Sequence, residues 1–217
     1  MTRLYRKVIL TTIGLLWVTS QCVAALEPRR PLIFPPPKKM TVADNGFVLD
    51  GQVTIVVPSK ASEQDLALAS FLRNELGDRF GMHPKTERVT ALGSGRRVIL
   101  MGSVANPLVR AYCAKNGIVV SAQDPGPEGY VLRVSADLVF IAGSDDRGAF
   151  YGLQSLRQLA EADRGQVQFH GVDVRDWPDK AYRGIKLYLP GRSNIPFLTR
   201  FVRDFTRKFA KRGVPSP

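Results

Sequence analysis

The chain has 217 residues, of which 44% are hydrophobic and 23% charged, with a formal net charge of +12. That composition excludes a disordered or fibrous polypeptide and leaves room for one ordinary folded domain plus a shorter piece of a second. The charge does not point to nucleic acid: residues 1–25 hold +3 and residues 192–217 hold +6, so the basic residues sit at the two ends and not on one folded face.

The amino-terminal stretch reads as an export signal over residues 1–25. Arg3, Arg6 and Lys7 make a positive start, Val8 to Val18 is almost wholly apolar, and small residues follow at Ala24 and Ala25. The apolar run falls short of the roughly 20 residues needed to span a bilayer, so cleavage is expected, leaving an exported, periplasmic or extracellular chain with no membrane attachment. Gln21 stands where a small residue would precede a lipidated cysteine, which argues against Cys22 as a lipid anchor. Loss of Cys22 leaves Cys113 alone, so no intramolecular disulfide is expected. Cys113 itself, in an Ala-Tyr-Cys-Ala run, reads as a small buried hydrophobe.

Residues 26–40 are Pro-rich and basic, which predicts an extended linker outside any core. Phe47 to Leu49 and Val53 to Val57 predict strands, joined as a hairpin by Asp50-Gly51. Ser62 and Asp65 form a capping box for a helix with Leu66, Ala69, Leu72 and Leu76 on one stripe up to Gly77. Arg97 to Met101 reads as a buried strand and Asn106 to Asn116 as a short helix. Tyr130 to Val134 and Leu138 to Ala142 predict a second hairpin. A helix from about Arg147 to Ala162 and a strand from Val167 to Val174 complete a domain spanning residues 41–176. The fold class expected is α+β, a mixed β-sheet with helices packed on one face. Residues 177–217 then give a new strand, Gly184 to Leu189, a turn, and a helix from Pro196 to about Arg212 with Phe197, Phe201, Phe205 and Phe209 four apart. That phenylalanine stripe, opposite a row of basic residues, fits either a barrel helix or a helix lying on an anionic membrane; the strand and tight turn before it favour the barrel.

Motifs for chemistry are sparse. His83 and His170, the two histidines, have no partners at metal-ligand spacing, so neither a metal nor a cofactor is expected. Gly93-Ser94-Gly95 lacks the context of a phosphate loop, and no Gly-x-Ser-x-Gly elbow occurs. Asp173, Asp176 and Asp179 are spaced by three, but Trp177-Pro178 interrupts any helix, so they read as a polar connector between domains. Asp145 and Asp146 precede a helix, where a carboxylate satisfies free N–H groups.

One stretch carries a family likeness: Glu128-Gly129-Tyr130-Val131-Leu132, then Gly143-Ser144-Asp145-Asp146-Arg147-Gly148-Ala149-Phe150-Tyr151-Gly152-Leu153-Gln154-Ser155-Leu156, then Asp176-Trp177-Pro178-Asp179 and Tyr182-Arg183-Gly184-Ile185. It resembles the non-catalytic second domain of bacterial β-N-acetylhexosaminidases of glycoside hydrolase family 20, running into their catalytic barrel. The resemblance implies an N-terminal fragment of a secreted or periplasmic glycosidase acting on N-acetylhexosamine-containing glycans. It also implies that residues 177–217 are the first βα unit of a truncated (β/α)8 barrel, the remainder of which would be a partner. Arg183 matches the family arginine that binds the sugar, although a salt bridge at the domain junction is an equally simple role for it. The Asp-Glu pair that family members use for substrate-assisted catalysis occurs nowhere in the 217 residues, so no catalytic residue is assigned and the chain alone is expected to be inactive. A stand-alone exported carbohydrate-binding or interaction module is the alternative.

Overall fold

A computed structural model of the chain describes residues 33–93, 95–163, 165–181 and 191–202. In chain order the elements are β1 (Lys39–Val42), β2 (Phe47–Leu49), β3 (Thr54–Pro58), α1 (Glu63–Phe80), β4 (Lys85–Val89), β5 (Val98–Ser103), α2 (Pro107–Lys115), β6 (Tyr130–Val134), β7 (Leu138–Gly143), α3 (Asp146–Leu156), β8 (Ala160–Asp163), β9 (Gln166–Phe169), β10 (Val172–Asp176) and α4 (Ile195–Phe201).

Among the described residues, seven strands form one sheet in the order β1-β10-β6-β7-β5-β3-β4, and β2-β9-β8 form a small second sheet. The half of the large sheet from β4 to β7 is parallel and the half from β7 to β1 antiparallel. The parallel half follows from the helices, because a strand followed by a crossover helix returns in the same direction, whereas Ser135-Ala136-Asp137 is a tight connection that forces β6 and β7 to be antiparallel.

The expected mixed α+β sheet is therefore present, but its layering differs from the expectation of helices on one face. Alternate strand residues feed two separate cores. Ile55, Val57, Ile99, Met101, Leu132 and Ile141 pack with α1, α3 and the small sheet, while Val56, Leu100, Val131, Phe140 and Ala142 pack with Leu108, Val109 and Cys113 of α2 on the opposite face. Central strands buried on both sides read as continuous apolar runs, so no alternation marks which face a following helix will take.

Local signals set most boundaries. Ser62 Oγ accepts from Asp65 N–H at 3.1 Å while the Asp65 carboxylate accepts from Ser62 N–H at 3.0 Å, closing the predicted capping box. The helix passes through Gly77 and stops at Gly81, whose φ of 68° is the left-handed cap that glycine adopts without strain. Its buried stripe is Leu68, Ala69, Leu72 and Leu76, with Leu66 exposed.

Four expectations are corrected. Asp50-Gly51 does not join a hairpin: β2 pairs with β9 and β3 with β4 and β5, in different sheets. Gly51 is not among the positive-φ glycines, so the two residues do not make the type I′ turn a hairpin requires. The Pro-rich segment is not wholly outside the core, because Ile33 is 1% exposed within the larger cluster, Phe34 N–H donates to Gln158 and β1 pairs with β10. The helix expected to reach Ala162 ends at Leu156, passes through a 3-10 turn and becomes β8. The single strand over Val167 to Val174 is two strands, broken at His170-Gly171, one in each sheet. Beyond the large sheet, α4 presents Phe197 and Phe201 stacked at 6.1 Å, with Phe197 exposed. The predicted strand over Gly184 to Leu189 and the helix beyond Val202 lie outside the described residues.

Candidate functional site

The stretch with the family likeness builds one corner of the domain. Asp145 caps α3 by accepting from Gly148 N–H at 2.8 Å, and its second oxygen accepts from Glu128 N–H at 2.9 Å, so a single carboxylate fixes both the helix start and the turn before β6. Glu128 holds φ at 59°, and Arg147 reaches back to its carboxylate at 3.1 Å. Ser144 N–H donates to the Gly129 carbonyl at 2.9 Å. A Cβ on Gly148 would run into that carbonyl, and one on Gly152 would lie 2.6 Å from Ile141 Cγ2 and 3.1 Å from the Tyr130 ring. These glycines are spaced to let α3 lie directly on β6 and β7. The motif thus encodes close packing, with Asp145 as a cap and Glu128 and Arg147 as braces.

A second polar centre was not anticipated from the sequence. The Tyr130 hydroxyl lies 2.7 Å from Ser155 Oγ and donates to Asp176 Oδ2 at 3.2 Å, while Asp176 Oδ1 accepts from Lys38 N–H at 2.9 Å. Tyr130, Ser155 and Asp176 are all 1% exposed or less. A carboxylate so deeply buried is sustained by its donors. Asp176 closes β10, so the group holds the point at which the chain leaves the sheet. Asp173 pairs at the surface with Arg133 at 2.8 Å, away from this group, whereas Asp179 pairs with the side chain of Lys38, the residue whose N–H serves Asp176. The three aspartates do not form one cluster, and the connector reading is corrected: Asp173 and Asp176 belong to β10, and of the three only Asp179 follows the strand.

The remaining sequence candidates have structural roles. His170 Nε2 meets Glu161 Oε2 at 2.5 Å, and His83 lies over Gly77 at the end of α1. Burial pushes the Cys113 thiol above its ordinary pKa, opposite to what a reactive thiolate needs. No group of three His, Cys, Asp or Glu side chains among the described residues is placed to hold a metal ion, and no described helix is long and apolar enough to cross a membrane. Arg183, the substrate-binding candidate, lies outside the described residues.

What these residues define is an α+β accessory domain: a mixed sheet, helices on both faces, and polar side chains committed to caps, braces and a buried exit network. A family model for glycosyl hydrolase family 20, domain 2, matches residues 30–177, and the chain belongs to that family. Its function is accordingly related to glycosidases. The beta-hexosaminidase of Porphyromonas gingivalis is 29% identical over 162 residues, a match covering 71% of this chain and 18% of that protein. Among solved structures, the GH20 β-N-acetylhexosaminidase from Streptomyces coelicolor A3(2) superposes with a TM-score of 0.58 at 19% identity, covering 82% of this chain and 33% of that one. CpGH84D gives a TM-score of 0.63 at 19% identity, over 82% of this chain and 29% of that one. The last two likenesses concern the fold alone. The chain spans about a fifth of the curated relative it matches.

Proposed function

We propose that the chain is the N-terminal part of an exported glycoside hydrolase acting on N-acetylhexosamine-containing glycans, its accessory domain serving to seat a catalytic barrel. The observation that carries this reading is the family match over residues 30–177. The signal-like residues 1–25 support export to the periplasm or beyond. Hydrolysis then depends on a barrel carrying the acid and acetamide-orienting carboxylates, and Arg183, in the segment following β10, contributes a guanidinium fork to the sugar.

The test compares release of a chromophore from an N-acetyl-β-glucosaminide by this chain alone and by the same chain joined in frame after Trp177 to a family 20 barrel. Turnover is expected from the joined protein only, and replacing Arg183→Ala in a joined protein that keeps residues 177–191 of this chain is expected to raise KM. Turnover by the chain alone, lost in Arg183→Ala, would overturn the reading by placing an acid catalyst within these 217 residues. Export is checked by fractionating cells that make the chain with and without residues 1–25; equal retention in the cytoplasm refutes it.

A further inference from the structure

The two faces of the large sheet are covered unequally. One receives α1, α3 and the small sheet, whereas on the other α2, nine residues long, is the helix that packs against Val56, Leu100 and Phe140. Beside α2 lies a cleft of about 470 Å³, walled on its far side by the segment around Leu92 and floored by Val98 and Leu138, with Tyr112 on the helix side. A smaller hollow of about 240 Å³ shares Leu92, Arg96 and Val98 with it and is also lined by Val56 and Val89. The volume of the larger cleft falls within the usual range for small-ligand sites.

The chemistry of the walls selects a ligand. Leu92, Val98, Tyr112 and Leu138 are partly buried and apolar, and Tyr112 is held in place against Phe140 with ring centroids 4.4 Å apart. The rim is polar and balanced in sign, with Arg96 and Lys115 against Glu87 and Asp137. Arg96 is engaged by Glu87 at 3.2 Å, whereas the Lys115 and Asp137 side chains have no partner among the described residues. An anionic polymer would meet Glu87 and Asp137, and a purely aliphatic ligand would cover Lys115 and Asp137 without compensating them. An uncharged ring with one C–H face and several hydroxyl or amide groups satisfies both parts, stacking on tyrosine and leucine while Lys115, Asn116 and Asp137 supply donors and acceptors.

We propose that this groove is a glycan-holding site for short N-acetylhexosamine oligosaccharides, separate from the barrel; the identity of the sugar rests on the function proposed above. The site would keep a polymeric substrate near the enzyme between cleavage events, raising its effective concentration without taking part in bond breaking.

The experiment titrates the 15N-labelled chain with the trimer of N-acetylglucosamine, and in parallel with maltotriose, following amide chemical shifts. Saturable shifts are expected at Tyr112, Lys115, Asn116 and Leu138 with the first sugar and not the second. Ala111→Trp, at an exposed position of α2 lining the cleft, should fill it and weaken binding at least about tenfold, and Asp137→Ala should weaken it several-fold, with the rest of each spectrum unchanged. Shifts confined to other residues, no shifts, or binding indifferent to Ala111→Trp would overturn the site, and an equal response to maltotriose would overturn the assignment to N-acetylhexosamine. The two readings fail separately. A chain silent to the trimer whose barrel-joined form hydrolyses the chromogenic substrate loses the groove alone, whereas groove binding without hydrolysis by the joined form loses the hydrolase alone.

Discussion

Replacing Gly152 by alanine sets two effects against each other. In a helix interior alanine is favoured over glycine by about 0.8–1 kcal/mol, so propensity alone predicts that Gly152→Ala stabilises the domain. The structure predicts the opposite sign. The added methyl would sit 2.6 Å from Ile141 Cγ2 and 3.1 Å from Tyr130 Cδ2, where ordinary carbon contacts lie at about 3.5–4.0 Å. Neither neighbour yields easily: Ile141 is wholly buried on β7 with its β-branched methyl fixed by the backbone, and Tyr130 is held by Ser155 and Asp176. Relief requires α3 to lift by about 1 Å, and overpacking of that kind costs about 1–3 kcal/mol. Subtracting the propensity gain leaves a net loss of up to roughly 2 kcal/mol, or up to about 8 °C in Tm for a domain of this size. Urea unfolding followed by tryptophan fluorescence should record a lower midpoint at unchanged slope. Gly51→Ala, where no atom lies within 4 Å of the new methyl, is the control and should change stability by less than about 0.5 kcal/mol. The double variant Gly152→Ala with Ile141→Ala should lose less than the sum of the singles, since the second change removes the obstacle. A Gly152→Ala domain more stable than the parent by the propensity gain, or strict additivity in the pair, would refute the packing account of the family motif.

Other consequences follow from the buried groups. Tyr130→Phe removes a donor from buried Asp176 and a partner from Ser155, and should cost about 1–3 kcal/mol by the same urea assay. Asp65→Ala should be of similar size, because that carboxylate accepts from Ser62 at the start of α1 and from Asn106 Nδ2 at 2.7 Å, tying the starts of two helices that lie on opposite faces of the sheet. With its thiol pKa raised by burial, Cys113 in a chain beginning at Leu26 should react with an aromatic disulfide at neutral pH only after urea unfolds the domain; rapid labelling of the native chain would contradict the assigned packing. The Asp50 carboxyl is held below its ordinary pKa first by Gln52 N–H and also by Arg97, so its contribution is present at neutral pH and lost as pH falls through the carboxylate range. Asp50→Asn should therefore flatten the acid limb of the stability profile between about pH 5 and 3 and leave the slope above pH 7 unchanged.

Much of the fold was legible where a local rule acts alone. The Ser62–Asp65 box, the β6–β7 hairpin and the helix beginning after Asn106 each depend on residues within a few positions of one another, and each lies where the sequence placed it. Pairings set by distant segments were not legible. β4, Lys85-Thr86-Glu87-Arg88-Val89, is charged because it is an edge strand with little burial, and so carries no apolar signal. The separation of β2 from β3 depends on β9, more than a hundred residues further on, and Asp50-Gly51 as a dipeptide does not reveal it. The candidate site followed the same division. Asp173 and Asp176, which the sequence assigns to a connector, lie within β10, and the burial of Asp176 required knowing that Tyr130 arrives beside it from β6 and Lys38 from the segment before β1.

This division bears on what the family likeness transmits. The residues from Glu128 to Leu156 that carry it include glycines that permit contact between α3 and the sheet, a capping aspartate, Asp145, and the Glu128 and Arg147 side chains that brace a turn. The likeness is therefore inherited at the level of the scaffold, and a substitution within it should act on stability and on the seating of whatever follows Asp176, while leaving the intrinsic chemistry of a barrel untouched. Tyr130→Phe in a barrel-joined protein separates the two. If the exit network only seats the barrel, kcat and KM at saturating stability should stay near those of the parent while the temperature of inactivation falls. A change in the pH profile of turnover with unchanged thermal resistance would instead place Asp176 in electrostatic contact with the active site, and would end the view of this domain as scaffold.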